Sequence, residues 1–158
     1  MITTYLQILQ DSLVKKFELL SRIEEKSMEQ ADMLKGQTVD FAQIDFNMDE
    51  KARLIDEIIA LDNGFESVYE KIRIQLLEHK EQYKSQIHTL QEWIEKVTGK
   101  SAAIQAIEAR NKAQMDIAFS NRKKELQDRR NAMSVARDYY QNMNKVKHVS
   151  PQFLDHKK

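Results

Sequence analysis

The chain contains no cysteine, which excludes a disulfide framework and any thiolate metal centre. Proline occurs once and glycine three times, too few for the loops and phosphate-binding turns on which a compact α/β enzyme draws. Aromatic residues make up only 8% of the chain while charged residues reach 32%, the profile of long helices with narrow apolar seams. β-branched residues do not cluster and no period-two run survives four residues, so strands are not expected. No apolar run approaches the ~20 residues of a membrane-spanning helix. The opening MITTYLQILQDSLVKKFELL has neither a basic leader nor a continuous apolar core, and is expected not to be a secretory signal. A cytoplasmic protein with no membrane span is the expectation.

What is present is charge, unevenly placed. Formal net charge is zero over 158 residues. Through Thr98 there are 12 Lys+Arg against 19 Asp+Glu, and from Gly99 onward 13 against 6. An acidic first part can pack against a basic second part, or the basic part can serve an acidic partner.

Apolar residues recur at helical spacing. Leu6, Leu9, Leu13, Phe17, Leu20, Ile23 and Leu34 step mostly by three and four, with Thr3 or Thr4 available as a cap and Gly36 as a stop. Asp40 followed by Gln43 resembles a capping box. A second seam runs Leu54, Ile58, Leu61, Phe65, Val68, Ile72, slips by one residue, and resumes as Leu76, Tyr83, Ile87, Leu90, Ile94, Val97. Asn63-Gly64 lies within it but the steps stay in phase, so a continuous helix is expected, with a break at Gly64 as the alternative. Thr98-Gly99 punctuates the chain again, and Ser101 can cap a third helix. That helix carries Ile104, Ile107, Met115, Phe119, Leu126, Met133, Ala136, Tyr140 and Met143, a stripe interrupted by Arg122 and Arg129.

The fold expected is all-α: an elongated antiparallel bundle of three long helices over about 4–35, 41–97 and 101–143, forming one unit across 1–147, with a short tail over 148–158. A break at Gly64 would make four helices. Folding the first helix back at Gly36 sets Thr4 near Ile72, so the seam slips where its first partner runs out. The third helix then covers the rest of the second, and its end from about Leu126 reaches back beside the first. Such an object is on the order of 80 Å long.

Residues that carry chemistry are sparse. His88 and Glu92, and His79 and Tyr83, stand four apart. A bundle metal site needs Glu-x-x-His motifs, and Leu76 and Ser85 occupy the places where those glutamates belong. No glycine-rich phosphate loop or nucleophile elbow occurs, so neither an enzyme nor a cofactor is expected. In SNRKKELQDRRNAM, Glu125 and Asp128 interleave with the cations at spacings that suit ion pairs within a helix. That argues against a phosphate-tracking stripe and against nucleic acid as a partner. Trp93, beside Ile94, reads as a partly buried packing residue.

Four stretches, LDNGFESVYEKIR (Leu61 to Arg73), IQAIEARNK (Ile104 to Lys112), YYQNMNK (Tyr139 to Lys145) and FLDHKK (Phe153 to Lys158), resemble in order and spacing the FlgN family of flagellar export chaperones, as found in Gram-positive anaerobes. Ala109, where an acidic residue is expected, and Gly99 depart from that pattern. The resemblance implies a non-enzymatic chaperone that holds the helical C-terminal segment of hook–filament junction proteins. It would keep them soluble and deliver them to components of the flagellar type III export apparatus. It also implies that the C-terminal part of the chain carries the recognition. A dimeric structural or adaptor coiled coil is the alternative, and the chain is expected to be a monomer or a homodimer.

The candidate partner-binding residues follow from that C-terminal part. Leu126, Met133, Ala136, Tyr140 and Met143 lie on the stripe, Tyr139 lies one position off it, and Phe153 and Leu154 lie beyond Pro151. A cargo helix would lie in a groove through anchors at helical spacing. Methionine suits such a surface because its side chain repacks.

Overall fold

A computed structural model describes residues 2–36, 38–122 and 126–146, with side chains described to 122 and again from 132 to 146. It contains four helices: α1 (Ile2–Lys35), α2 (Phe41–Glu78), α3 (Lys84–Asn121) and α4 (Leu126–Lys145). The class is the all-α bundle expected, and the described residues contain no strand.

The α1–α2 hairpin has the register its sequence implies. Asp40 caps α2, its carboxylate accepting from the backbone N–H groups of Ala42 and Gln43 at 3.0 and 3.3 Å. Lys26 then meets Glu50 at 2.9 Å, Lys16 meets Asp62 at 2.8 Å, and the Lys71 ammonium lies 5.9 Å from the centre of the Tyr5 ring. Each step forward on α1 is a step back on α2.

The breaks differ from expectation. α2 runs through Gly64 as expected, but α3 also runs through Gly99, and Ser101 is buried inside α3 instead of capping it. Ile2 already starts α1, so Thr3 and Thr4 lie in its first turn. The long second seam is cut at 79–83, just after the slip at Leu76, where the His79 N–H closes onto the carbonyls of Gln75 and Leu76. The physical reason is that α1 ends level with this point, leaving Glu78 to Gln82 exposed. The third stretch is cut again at Arg122, whose N–H returns to the Phe119 carbonyl.

These cuts change the partners. The residues before and after Gly99 form one helix that runs parallel to α1 along its length. Trp93, half-buried, meets Phe17 edge-on with ring centres 5.9 Å apart, Lys100 meets Glu24 at 2.7 Å, and the Asn111 side chain donates to the Ser27 carbonyl at 2.9 Å. α4 packs against α2, not beside α1 as expected, and runs parallel to it. The 38-residue helices are about 57 Å long, so the bundle is shorter than the three-helix reading implies. α4, at 20 residues, covers only the half of the bundle where Phe41 stacks on Phe119 at 5.0 Å.

The core is one continuous cluster. Leu6, Leu13, Leu20 and Ile23 of α1, Ile44, Met48, Ile55 and Ile58 of α2, and Leu90, Ile104 and Met115 of α3 are all buried in it.

Candidate helix-binding groove and the polar layer beneath it

Beneath α4 the apolar stripes are broken by charge. The steps Met48–Lys51–Ile55 on α2 and Ile104–Glu108–Asn111–Met115 on α3 put a lysine and a glutamate into the interior. Lys51 is 0% exposed, and its ammonium donates to both carboxylate oxygens of Glu108, at 3.1 and 3.0 Å, and to the Gln30 side-chain oxygen from α1. Gln30 in turn donates to the Met115 sulfur. Burial holds the Lys51 ammonium below its ordinary pKa, with the Glu108 charge opposing that shift. About three turns further along α2, Lys16 and Asp62 form a second buried pair, and burial again lowers the lysine. A buried pair of this kind adds little net stability but fixes register, because breaking it strands a charge.

α4 closes the layer with Tyr139. Its ring lies 4.7 Å from the Lys51 ammonium, within cation–π range. Tyr139 is 0% exposed, and Tyr140 packs edge-on to it at 5.4 Å. Both hydroxyls are buried and make no hydrogen bond of normal geometry, although Glu108 and Ser27 lie close enough to act on Tyr139. Burial first, then the Glu108 charge, pushes both phenols well above the ordinary tyrosine range.

The core face of α4 keeps Ala136 and Met143 of the expected stripe but takes Ala132 and Tyr139 in place of Met133 and Tyr140, with Val146 just beyond the helix also buried and Tyr140 half-buried.

A groove of about 390 Å³ runs between α3 and α4. Met115 and Phe119 of α3 and Met133, Ala136 and Tyr140 of α4 form its apolar walls, with Lys112, Asp116 and Arg137 at its edges. α4 packs closely on α2, and α3 and α4 are not among the closely packed helix pairs. Among the expected binding residues, Met133, Ala136 and Tyr140 line the groove, whereas Tyr139 and Met143 face the core. The Leu126 side chain, and Phe153 and Leu154, lie outside the described residues. The polar layer escaped the sequence reading because a charge within a stripe reads as an interruption; its signal was that Lys51 and Glu108 keep the three-and-four step.

His88 and Glu92 form an exposed pair at 3.4 Å. No group of three potential metal ligands occurs among the described residues, and none of their helices is long and apolar enough to cross a membrane.

Comparison with known proteins finds no matching family model, no matching curated protein and no matching solved structure.

Proposed function

We propose that this chain is a non-catalytic, cytoplasmic export chaperone of the FlgN-like type. It binds the helical C-terminal segment of hook–filament junction proteins, keeps them soluble, and hands them to the flagellar type III export apparatus. Two things support the reading: the four stretches that resemble the family, and the groove between α3 and α4. The groove is the observation that carries it. Its walls are rich in methionine and aromatic side chains, and one wall is a short helix anchored mainly to α2. At about 390 Å³ it is too small for a helix as it stands, so α4 moves away from α3 to admit one. The two unpartnered tyrosine hydroxyls make its closed position less favourable than a fully apolar contact.

The test is binding of junction-protein C-terminal peptides to the full chain and to a version ending at Met133. The truncation removes most of one wall, and affinity is expected to fall at least about tenfold, as for loss of a central anchor. Unchanged affinity in a truncation that still folds would reject the assignment. A tight dimer that binds no junction peptide would favour the structural coiled coil instead.

A further inference from the structure

Two grooves among the described residues differ in how their charges are used. Between α1 and α2, beside the exposed Phe46, the edges carry Lys26, Glu29 and Glu50. There the lysine is already engaged, at 2.9 Å from Glu50 and 3.9 Å from Glu29. Between α3 and α4 the edges carry Lys112 and Arg137, both exposed, with Asp116 as the one carboxylate. Among the described residues neither cation makes an ion pair. The Lys112 ammonium lies 5.9 Å from the centre of the Tyr140 ring, at the groove wall. Both walls come from the part of the chain that holds 13 Lys+Arg against 6 Asp+Glu.

We propose that Lys112 and Arg137 are specificity-determining residues that select an acidic amphipathic helix, gripping carboxylates on the two flanks of its apolar stripe. This rests on the reading of the groove as the cargo site and adds the chemistry of what it accepts. The two cations stand on opposite walls, and the apolar side chains lie between them. An incoming helix that buries its stripe on Met115, Phe119 and Met133 brings the positions beside that stripe against the cations. These are the places that set partner choice in coiled coils. A carboxylate there gains a partner, whereas a lysine meets like charge, so rejection of basic helices is part of the selection. Because both cations are at the edge and wet, they act on encounter rate and partner choice more than on intrinsic tightness.

The experiment measures binding of junction-protein C-terminal peptides to the full chain and to the variants K112E/R137E and K112Q/R137Q, at low and high salt. Two exposed pairs are together worth on the order of tenfold in affinity at low ionic strength. K112Q/R137Q is therefore expected to lose about that much and K112E/R137E more, because reversal adds repulsion, both losses shrinking as salt screens them. Peptides with flanking Glu or Asp changed to Lys should recover on K112E/R137E. Equal affinity for all three proteins would overturn the inference while leaving the chaperone reading intact. If the wild-type chain binds no junction peptide, that reading fails. A designed acidic amphipathic peptide then decides the inference alone: binding lost in both variants supports it, and no binding overturns it. Loss of mixed-sequence RNA binding in the variants, with peptide binding unchanged, would assign the cations to phosphate and also overturn it.

Discussion

Lys51 of α2 and Tyr139 of α4 meet in the bundle interior, the ammonium 4.7 Å from the ring centre. The contact ties the last helix to a charge that Glu108 already neutralises at 3.0 Å. Lys51→Met strands that carboxylate in the core and should cost about 3–5 kcal/mol, whereas Lys51→Met with Glu108→Leu should return most of the loss. Urea unfolding of the two single variants and the double variant measures the coupling. Additive losses would show that the pair does not act as a unit.

Tyr139→Phe removes a buried hydroxyl that has no hydrogen-bond partner and keeps the ring over Lys51. The substitution should raise stability by about 1 kcal/mol, the lower end of what an unsatisfied buried group costs. It should also weaken cargo binding, because it deepens the closed position of α4. A fall in the melting midpoint would mean that the hydroxyl supports the fold.

Alkaline pH tests the same layer with a definite sign. In the unfolded chain tyrosine ionises near pH 10, while burial pushes Tyr69 up to about 12 and holds Tyr139 and Tyr140 higher still. The unfolded state then binds fewer protons than the folded one, so stability is full below about pH 10 and falls above it. The buried lysines act oppositely: with folded pKa values below the ordinary 10.5, Lys16 and Lys51 add stability as pH rises to that value and nothing beyond it. The decline above it belongs to the tyrosines together with Lys26, whose hydrogen bond to Glu50 raises its pKa and whose contribution is lost over the same range. Denaturant midpoints should drop between about pH 10.5 and 12, and the drop should be smaller in Tyr139→Phe/Tyr140→Phe. A decline identical in the double variant would contradict this.

Gly64 and Gly99 lie inside helices, and a Cβ at either would meet nothing within 4 Å. Gly64→Ala and Gly99→Ala should each stabilise the chain by about 0.5–1 kcal/mol. Destabilisation by either would place a bend or close approach at that glycine.

The sequence made the α1–α2 hairpin legible because Gly36, the Asp40 cap and two regular seams all point to one register. Trp93 as a packing residue and the helical class were equally readable. The break at 79–83 was not, because no glycine or proline marks it; HKEQY loses its helix where α1 ceases to cover it. Gly64 and Gly99 drew attention instead, yet a glycine within a well-packed helix costs only about 1 kcal/mol. At the groove, Met133 and Tyr140 were found from the stripe. Lys112 and Arg137 were not, since two surface cations on separate helices meet only after α4 turns back at Arg122.

The proposed cargo site requires a foreign helix to enter between α3 and α4. The chain's seven methionines supply methyl probes on both sides of the bundle: Met115 and Met133 line this groove, Met33 lines the one between α1 and α2, and Met28 is exposed on α1. Methyl NMR during titration with a junction-protein C-terminal peptide should shift Met115 and Met133 and leave Met28 and Met33 in place. Saturable binding that moves Met28 and Met33 while Met115 and Met133 stay fixed would contradict the account.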